Sequence, residues 1–304
     1  MSSYPVSLRG RDRSSGLGVL ALVFVTASWG STFFLIKDLL DRVPVVDFLA
    51  LRFAIASVAL FLVAPRALRR LSPAARRRGV ALGLLYGVAQ ILQTHGLEHT
   101  SASVSGFVTG MYVVCTPLLA AFFLRQRIGP VTWAAVGLAT AGLAVLSLRG
   151  FAIGYGEAVT FASAVLYAAH IVGLGAWATP RDAFGLSVLQ MFVITGVCGA
   201  AAVPGGVVLP DNGADWWSVL YMALVAGALA LVAQTWAQAH LAPTRAAIIM
   251  TMEPVFAAFF AVLLGGESLT VRMLVGGALV LIAMYTVELV PRRHVEGEVQ
   301  HLTV

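Results

Sequence analysis

Thr116-Pro117-Leu118-Leu119-Ala120-Ala121-Phe122-Phe123 recurs as Glu253-Pro254-Val255-Phe256-Ala257-Ala258-Phe259-Phe260. Pro, Ala, Ala, Phe and Phe match at a constant offset of 137 residues, 117 to 254 and 123 to 260. Each octet falls in the fourth of five apolar segments in its half of the chain. Five is odd, so the second half must cross a membrane in the opposite sense to the first. The pattern is an inverted-topology repeat, a construction typical of secondary transporters.

Working outward, ten apolar segments cover approximately 17–37, 45–64, 79–98, 101–124, 130–148, 154–175, 185–208, 216–239, 244–264 and 270–290. Pro, Gly or charge separates them, as at Pro44, Pro65, Pro73 and Gly129-Pro130. Of the 304 residues 59% are hydrophobic and 11% charged, against about a quarter charged in an ordinary soluble domain. So few charges cannot solvate the surface of a globule of this size, which excludes a soluble enzyme. A spanning helix takes about 20 residues, so the length accommodates ten helices and no soluble domain. Continuous apolar runs exclude a transmembrane β-barrel, whose strands alternate. The expected fold is an all-α integral membrane protein with ten transmembrane helices arranged as two inverted five-helix repeats. Residues 1–16 form an N-terminal tail, 17–150 the first repeat, 151–290 the second and 291–304 a C-terminal tail. Arg9, Arg11 and Arg13 precede a full-length apolar run with no small-residue cleavage site, so that run is read as a retained helix. Cys115 and Cys198 lie inside apolar stretches and are read as small buried hydrophobes.

The net charge of +6 is a topology signal. With the N-terminus inside, fifteen Lys and Arg fall in inside segments: Arg9, Arg11, Arg13, Arg66, Arg69, Arg70, Arg76, Arg77, Arg78, Arg125, Arg127, Arg181, Arg245, Arg292 and Arg293. Four fall outside, Lys37, Arg42, Arg149 and Arg272, and Arg52 lies within the second segment. This bias places both termini in the cytoplasm of a multi-pass cell-membrane protein. It is not a nucleic-acid footprint, though residues 66–78 suit anionic lipid headgroups.

Trp29-Gly30-Ser31, Leu51-Arg52-Phe53, the stretch 100–109, the stretch 243–247, Glu253-Pro254 and Gly266-Glu267-Ser268-Leu269-Thr270 occur in this order over roughly 17–290. Together they resemble the EamA-type permeases of the drug/metabolite transporter superfamily. One departure is visible: Arg127-Ile128-Gly129-Pro130 stands where a Gly-Glu-Arg-like end is common. The resemblance implies two five-helix repeats, a central cavity and alternating access without ATP. It does not imply a substrate, because such permeases export amino acids, metabolites and toxic compounds; the expected function is export of small metabolites, amino acids or drug-like organic solutes. Import or exchange of a metabolite, and a non-transporting membrane role, are the alternatives. The partners to expect are a small-molecule substrate and the bilayer, with protons and a second copy of the chain as candidates.

No nucleotide-binding loop, paired catalytic group or cofactor motif occurs, so no enzyme activity, metal or cofactor is expected. Thr94-His95-Gly96-Leu97-Glu98-His99 is the nearest approach to metal spacing and is read as a solvated helix end. The informative residues are polar ones at membrane depth, which must face the bundle interior or a wet cavity. Tyr86, Gln90, Gln93 and Thr94 share one helix face. Tyr167 and His170, Gln234 and Gln238, and the series Thr26, Trp29, Thr32 and Thr109, Tyr112, Cys115, Thr116 supply other segments. The fifth and tenth segments are nearly bare and should be peripheral. Trp29, Tyr86, Gln90, Tyr112, Tyr167, His170, Gln234 and Trp236 are therefore the expected substrate-binding residues. Their π faces suit aromatic or cationic solutes. Arg52, about seven residues from the outer end of its segment, is expected to pair structurally or snorkel. Gly83/Gly87 and Gly106/Gly110 should bring the third and fourth segments close. Pro117 and Pro254 are expected to break their helices, freeing the carbonyls of Val113 and Met250. Glu253, near the middle of its segment, is the candidate for proton coupling, with His170 its expected polar neighbour.

A reporter pair tests the topology. Green fluorescent protein fused after Val304 is expected to fluoresce and alkaline phosphatase at the same site to be inactive; the reverse result would place the C-terminus outside.

Overall fold

The computed structural model describes residues 8–124, 129–149, 152–202, 206–241, 246 and 249–289. Residues 125–128, 243–245, 247 and the C-terminal Arg292 and Arg293, all invoked above, lie outside the described residues, as does the expected boundary at 150/151. The helices are α1 (Leu8–Leu39), α2 (Val45–Val63), α3 (Pro73–Glu98), α4 (Ala102–Gly110), α5 (Tyr112–Leu124), α6 (Pro130–Ser147), α7 (Tyr155–Trp177), α8 (Ala183–Ala202), α9 (Gly213–Ala223), α10 (Ala230–Gln238), α11 (Met252–Leu263) and α12 (Val271–Leu289). A π-helical segment, Leu224–Leu229, joins α9 to α10. The sole described strands, Leu148–Arg149 and Ala152–Ile153, form a two-residue antiparallel pair between α6 and α7. Seven helical stretches are long and apolar enough to cross a membrane, and three shorter apolar helices accompany them, Trp133–Leu146, Met252–Leu263 and Val271–Thr286.

Local sequence explains the helix starts. Ser72 caps α3 by accepting from the Ala75 amide, with Pro73 at the first helical position where a missing N–H is harmless. Ser101 caps α4 through the Val104 amide, and Asn212 caps α9 through that of Asp215. The first helix begins at Leu8, nine residues before its apolar stretch, since Arg and Ser permit helix outside hydrocarbon.

The bundle is held at one end by ties that cross between helices. Lys37 Nζ donates to the carbonyls of Leu97 (3.0 Å) and Glu98 (2.8 Å) at the end of α3. Arg42 forks onto Asp215, at 2.8 and 2.7 Å, and reaches Asp38 at 2.6 Å. These bonds, that to Asp215 first, hold the Arg42 guanidinium above its ordinary pKa. The Glu267 carboxylate accepts from the Ala102 (2.6 Å) and Ser103 (3.2 Å) amides, capping α4 where the helix dipole favours an anion. Asp47 accepts from the Val208 amide at 3.0 Å.

The α6–α12 pair packs chiefly on itself, as the lack of polar groups in these helices leads one to expect. The glycine pairs act differently from expectation. Cβ atoms at Gly83 and Gly87 would meet Val193 and Val197 of α8, whereas those at Gly106 and Gly110 would meet Ala257 and Pro254 of α11. Each pair thus seats its helix on the other half of the chain, because α3 and α4, joined by a short turn, diverge and have little contact to bury. Both cysteines are buried and free.

A Cβ at Gly106 would lie 2.5 Å from the Ala257 Cβ, while one at Gly196 meets nothing within 4 Å. Gly106→Ala is expected to destabilise by about 1–3 kcal/mol through overpacking. Gly196→Ala, with helix propensity in its favour, is expected to be neutral or stabilising. Thermal unfolding in detergent checks both.

Candidate functional site

A small cavity of about 30 Å³ lies among α1, α2, α3, α4, α5, α7, α10 and α11. Its walls include seven of the eight expected binding residues, Trp29, Tyr86, Gln90, Tyr112, Tyr167, His170 and Gln234, together with Glu253. The spacing argument placed these groups on inward faces, but only the fold brings them to one chamber. Trp236 is the exception. It meets His240 at a tilt, 4.4 Å between ring centroids, and lies outside the cavity lining. Two positions beyond Gln234 on a helix, its side chain points to a different face.

The polar groups form bonded strings across helices. The Tyr167 hydroxyl donates to Gln93 Oε1 (2.8 Å), and Gln93 Nε2 donates to Thr109 Oγ1 (3.1 Å), linking α7, α3 and α4. The Tyr86 ring meets Tyr167 and His170 edge-on, at 5.4 and 5.1 Å. His170 Nε2 donates to Gln190 Oε1 at 2.7 Å, and Gln190 Nε2 reaches the Leu186 carbonyl. Gln190 was missed in the sequence, although a glutamine inside an apolar helix was itself the available signal. Gln234 Oε1 is buried with no hydrogen-bond partner among the described residues.

Glu253 is 3% exposed in the first turn of α11. Its described partner is Tyr112, not His170: the phenol oxygen lies 2.7 Å from Glu253 Oε2 and 3.1 Å from the Met250 carbonyl. The carbonyl that Pro254 was expected to free is thus the one Tyr112 contacts. The helical run is interrupted at Thr251 and α11 starts at Met252, so Pro254 sits in a first turn, where N–H groups have no intrahelical acceptor and a missing one costs little. Pro117 sits inside α5 away from the cavity lining, and the interruption in its segment comes at Met111, six residues earlier (111 to 117). Here too the expected break is displaced: the turn falls at Gly110-Met111, where glycine permits close contact with Pro254.

Arg52 meets the structural-pairing half of its expectation, with a backbone carbonyl as the partner. It does not snorkel, and no carboxylate of the described residues pairs with it; it is 2% exposed and lines the cavity. Seven residues of helix beyond Val45, at 1.5 Å each, put it about 10 Å deep, and Phe48 and Phe53 flank its guanidinium at 5.9 and 5.1 Å. Its Nε donates to the Met222 carbonyl at 3.0 Å. Trp29 Nε1 makes the matching bond to the Ala226 carbonyl at 2.8 Å. Ala226 lies in the π segment, whose wider turn lets a backbone carbonyl serve a side-chain donor, and Met222 lies just before it in α9.

Outside the cavity, the ligand atoms of His95, Glu98 and His99 lie within 4.8 Å of one another. His95 Nδ1 is 3.1 Å from Glu98, and its Nε2 contacts the Tyr155 hydroxyl at 3.2 Å, so its two nitrogens already have protein partners.

The family model of the EamA-like transporter family matches the chain twice, at 16–148 and 154–289. A protein of Archaeoglobus fulgidus described as an uncharacterized transporter is 30% identical over 271 residues, which is 89% of this chain and 85% of that protein. A protein of Streptantibioticus cattleyicolor described as a "Probable terminal-alkyne amino-acid exporter" is 30% identical over 278 residues, 86% of this chain and 90% of that one. A crystal structure 18% identical in sequence shares the fold with a TM-score of 0.66, over 93% of this chain and 98% of the other.

The Tyr112 contacts carry a stability prediction. Tyr112→Phe leaves the Met250 carbonyl and Glu253 without that donor and is expected to cost about 1 kcal/mol. A Tyr112→Phe protein melting at the wild-type temperature would show that neither contact holds the bundle.

Proposed function

This chain belongs to the EamA-like transporter family, and from that membership we propose that it is a secondary active exporter of small organic solutes. It works by alternating access without ATP and is coupled to protons at Glu253. The observation that carries the reading is the buried cavity, because both halves of the chain supply its walls and α6 and α12 supply none.

In this reading ten helices form two inverted five-helix repeats with both termini in the cytoplasm. The packing supports it, since contacts between halves come in exchange-related pairs. The first helix of one half lies against the fourth and third of the other: α1 on α11 and α10, α7 on α4–α5 and α3. The fourth helix of each half is interrupted, at Met111 and Thr251, as discontinuous helices often are at transporter sites. The basic connections before α3 and before α8 meet in one hollow containing Arg66, Arg70 and Arg181, which suits a shared cytoplasmic end. The ties made by Lys37, Arg42 and Glu267 then close the outer end.

The coupling rests on a proton count. A phenol has one proton, and Tyr112 faces two acceptors. Both contacts are satisfied together when Glu253 itself carries a proton, so loading and releasing that proton changes what holds α5 to α11. A carboxylate at this depth is costly to ionise without a partner, which ties its state to substrate and solvent access. The membrane is the cell membrane, and the solute class includes amino acids, as the name of the Streptantibioticus relative suggests.

Uptake and efflux of a labelled amino-acid and metabolite panel in proteoliposomes, with and without a pH gradient, test the function; a protein that moves none of the panel in either direction would overturn it. Glu253→Gln, which mimics the protonated side chain, is expected to abolish accumulation driven by the pH gradient while leaving solute exchange intact. Full gradient-driven transport by that variant would make Glu253 structural.

A further inference from the structure

We propose that Arg52 is the anchor for a single carboxylate on the transported solute, an inference that rests on the transport reading and narrows its substrate class. Arg52 is buried to 2% exposure and lines the cavity. No carboxylate of the described residues lies within ion-pairing distance of it. Among the described residues its one hydrogen bond takes Nε to the Met222 carbonyl. A guanidinium carries five N–H donors, so the terminal nitrogens retain theirs for the chamber.

A buried guanidinium without a counter-ion is costly, and the flanking faces of Phe48 and Phe53 replace only part of its hydration. The planar fork suits a carboxylate held by two parallel bonds. The cavity's own carboxylate does not fill that role, since Glu253 is engaged by Tyr112. The Met222 bond fixes the guanidinium from behind, and the neighbouring Trp29 indole is fixed by Ala226, four residues further along in the π segment. One cation and one carboxylate in the same chamber favour a monoanionic or zwitterionic solute over a phosphorylated dianion, which would add repulsion from Glu253. The rest of the solute would lie against Trp29, Phe33, Tyr86 and Ile36. This reverses the preference for cationic solutes that the aromatic residues alone suggest.

The test is counterflow in proteoliposomes with four labelled probes: L-phenylalanine and L-leucine, which carry the carboxylate, and L-phenylalaninamide and phenethylamine, which lack it. Wild-type protein is expected to carry the acids at least about tenfold faster than the amide and amine, because a site built to bind a polar group rejects analogues lacking it. R52Q is expected to slow the acids at least about tenfold and leave the other two unchanged, with R52K recovering part of the loss because it keeps the charge without the fork. Equal wild-type rates for all four probes would overturn the anchor and leave the transporter standing. So would an R52Q protein that slows all four in parallel, which is the signature of a purely structural arginine. Failure to carry any of the four would overturn both the anchor and the amino-acid transport reading. Should R52Q not fold, wild-type selectivity among the probes decides the question.

Discussion

Inside a bundle that faces hydrocarbon, a polar group has no water to turn to, and every other feature of this protein follows from how that demand is met. The clearest instance is Tyr112, whose hydroxyl reaches both the Glu253 carboxylate and the Met250 carbonyl. Around it Tyr167, Gln93 and Thr109 form a second string, and His170 and Gln190 a third. Left unmade, each such bond would expose a polar atom to an apolar surround, at a cost of a few kcal/mol. The strings run between helices distant in the chain, so satisfying them also fixes which helices are neighbours.

Departures from regular helix do the same work. A π segment in the middle of a helix is uncommon and often marks a functional place. Here it presents the Ala226 carbonyl to Trp29, and the last turn of α9 before it presents the Met222 carbonyl to Arg52, which fixes two side chains of the cavity wall through backbone alone. The turns at Met111 and Thr251 likewise stand next to the cavity, with Tyr112 and Glu253 just beyond them. Irregular backbone is tolerable at membrane depth where it borders a polar chamber.

Small residues set the distances over which these bonds operate. Gly30 and Gly106 approach the same Ala257 from α1 and α4, so α11 is gripped from two sides. Bulk at either position would separate α11 from its neighbours and pull Glu253 away from Tyr112. At one end of the bundle Arg42, Lys37 and Glu267 make charged ties between helices. These lie in a wetter, more screened setting, where they are worth less individually and can break when the bundle changes shape.

The sequence by itself determined the membrane character, the positions of the apolar segments and the repeated octets, because hydropathy and spacing are local properties that no packing can reverse. It also determined which helix faces carry polar groups, since helical periodicity puts Tyr86, Gln90 and Gln93 together whatever surrounds them. Only the tertiary structure decided that Glu253 meets Tyr112 rather than His170, that Gly106 seats against Ala257 rather than α3, and that Trp236 stands outside the cavity. It also decided that Arg52 turns inward rather than toward the membrane surface. Those outcomes depend on helix rotation and on partners more than a hundred residues away, such as Met222 for Arg52. A side chain long enough to reach either way is directed by the acceptor it finds, and the position of that acceptor is a property of the assembled bundle.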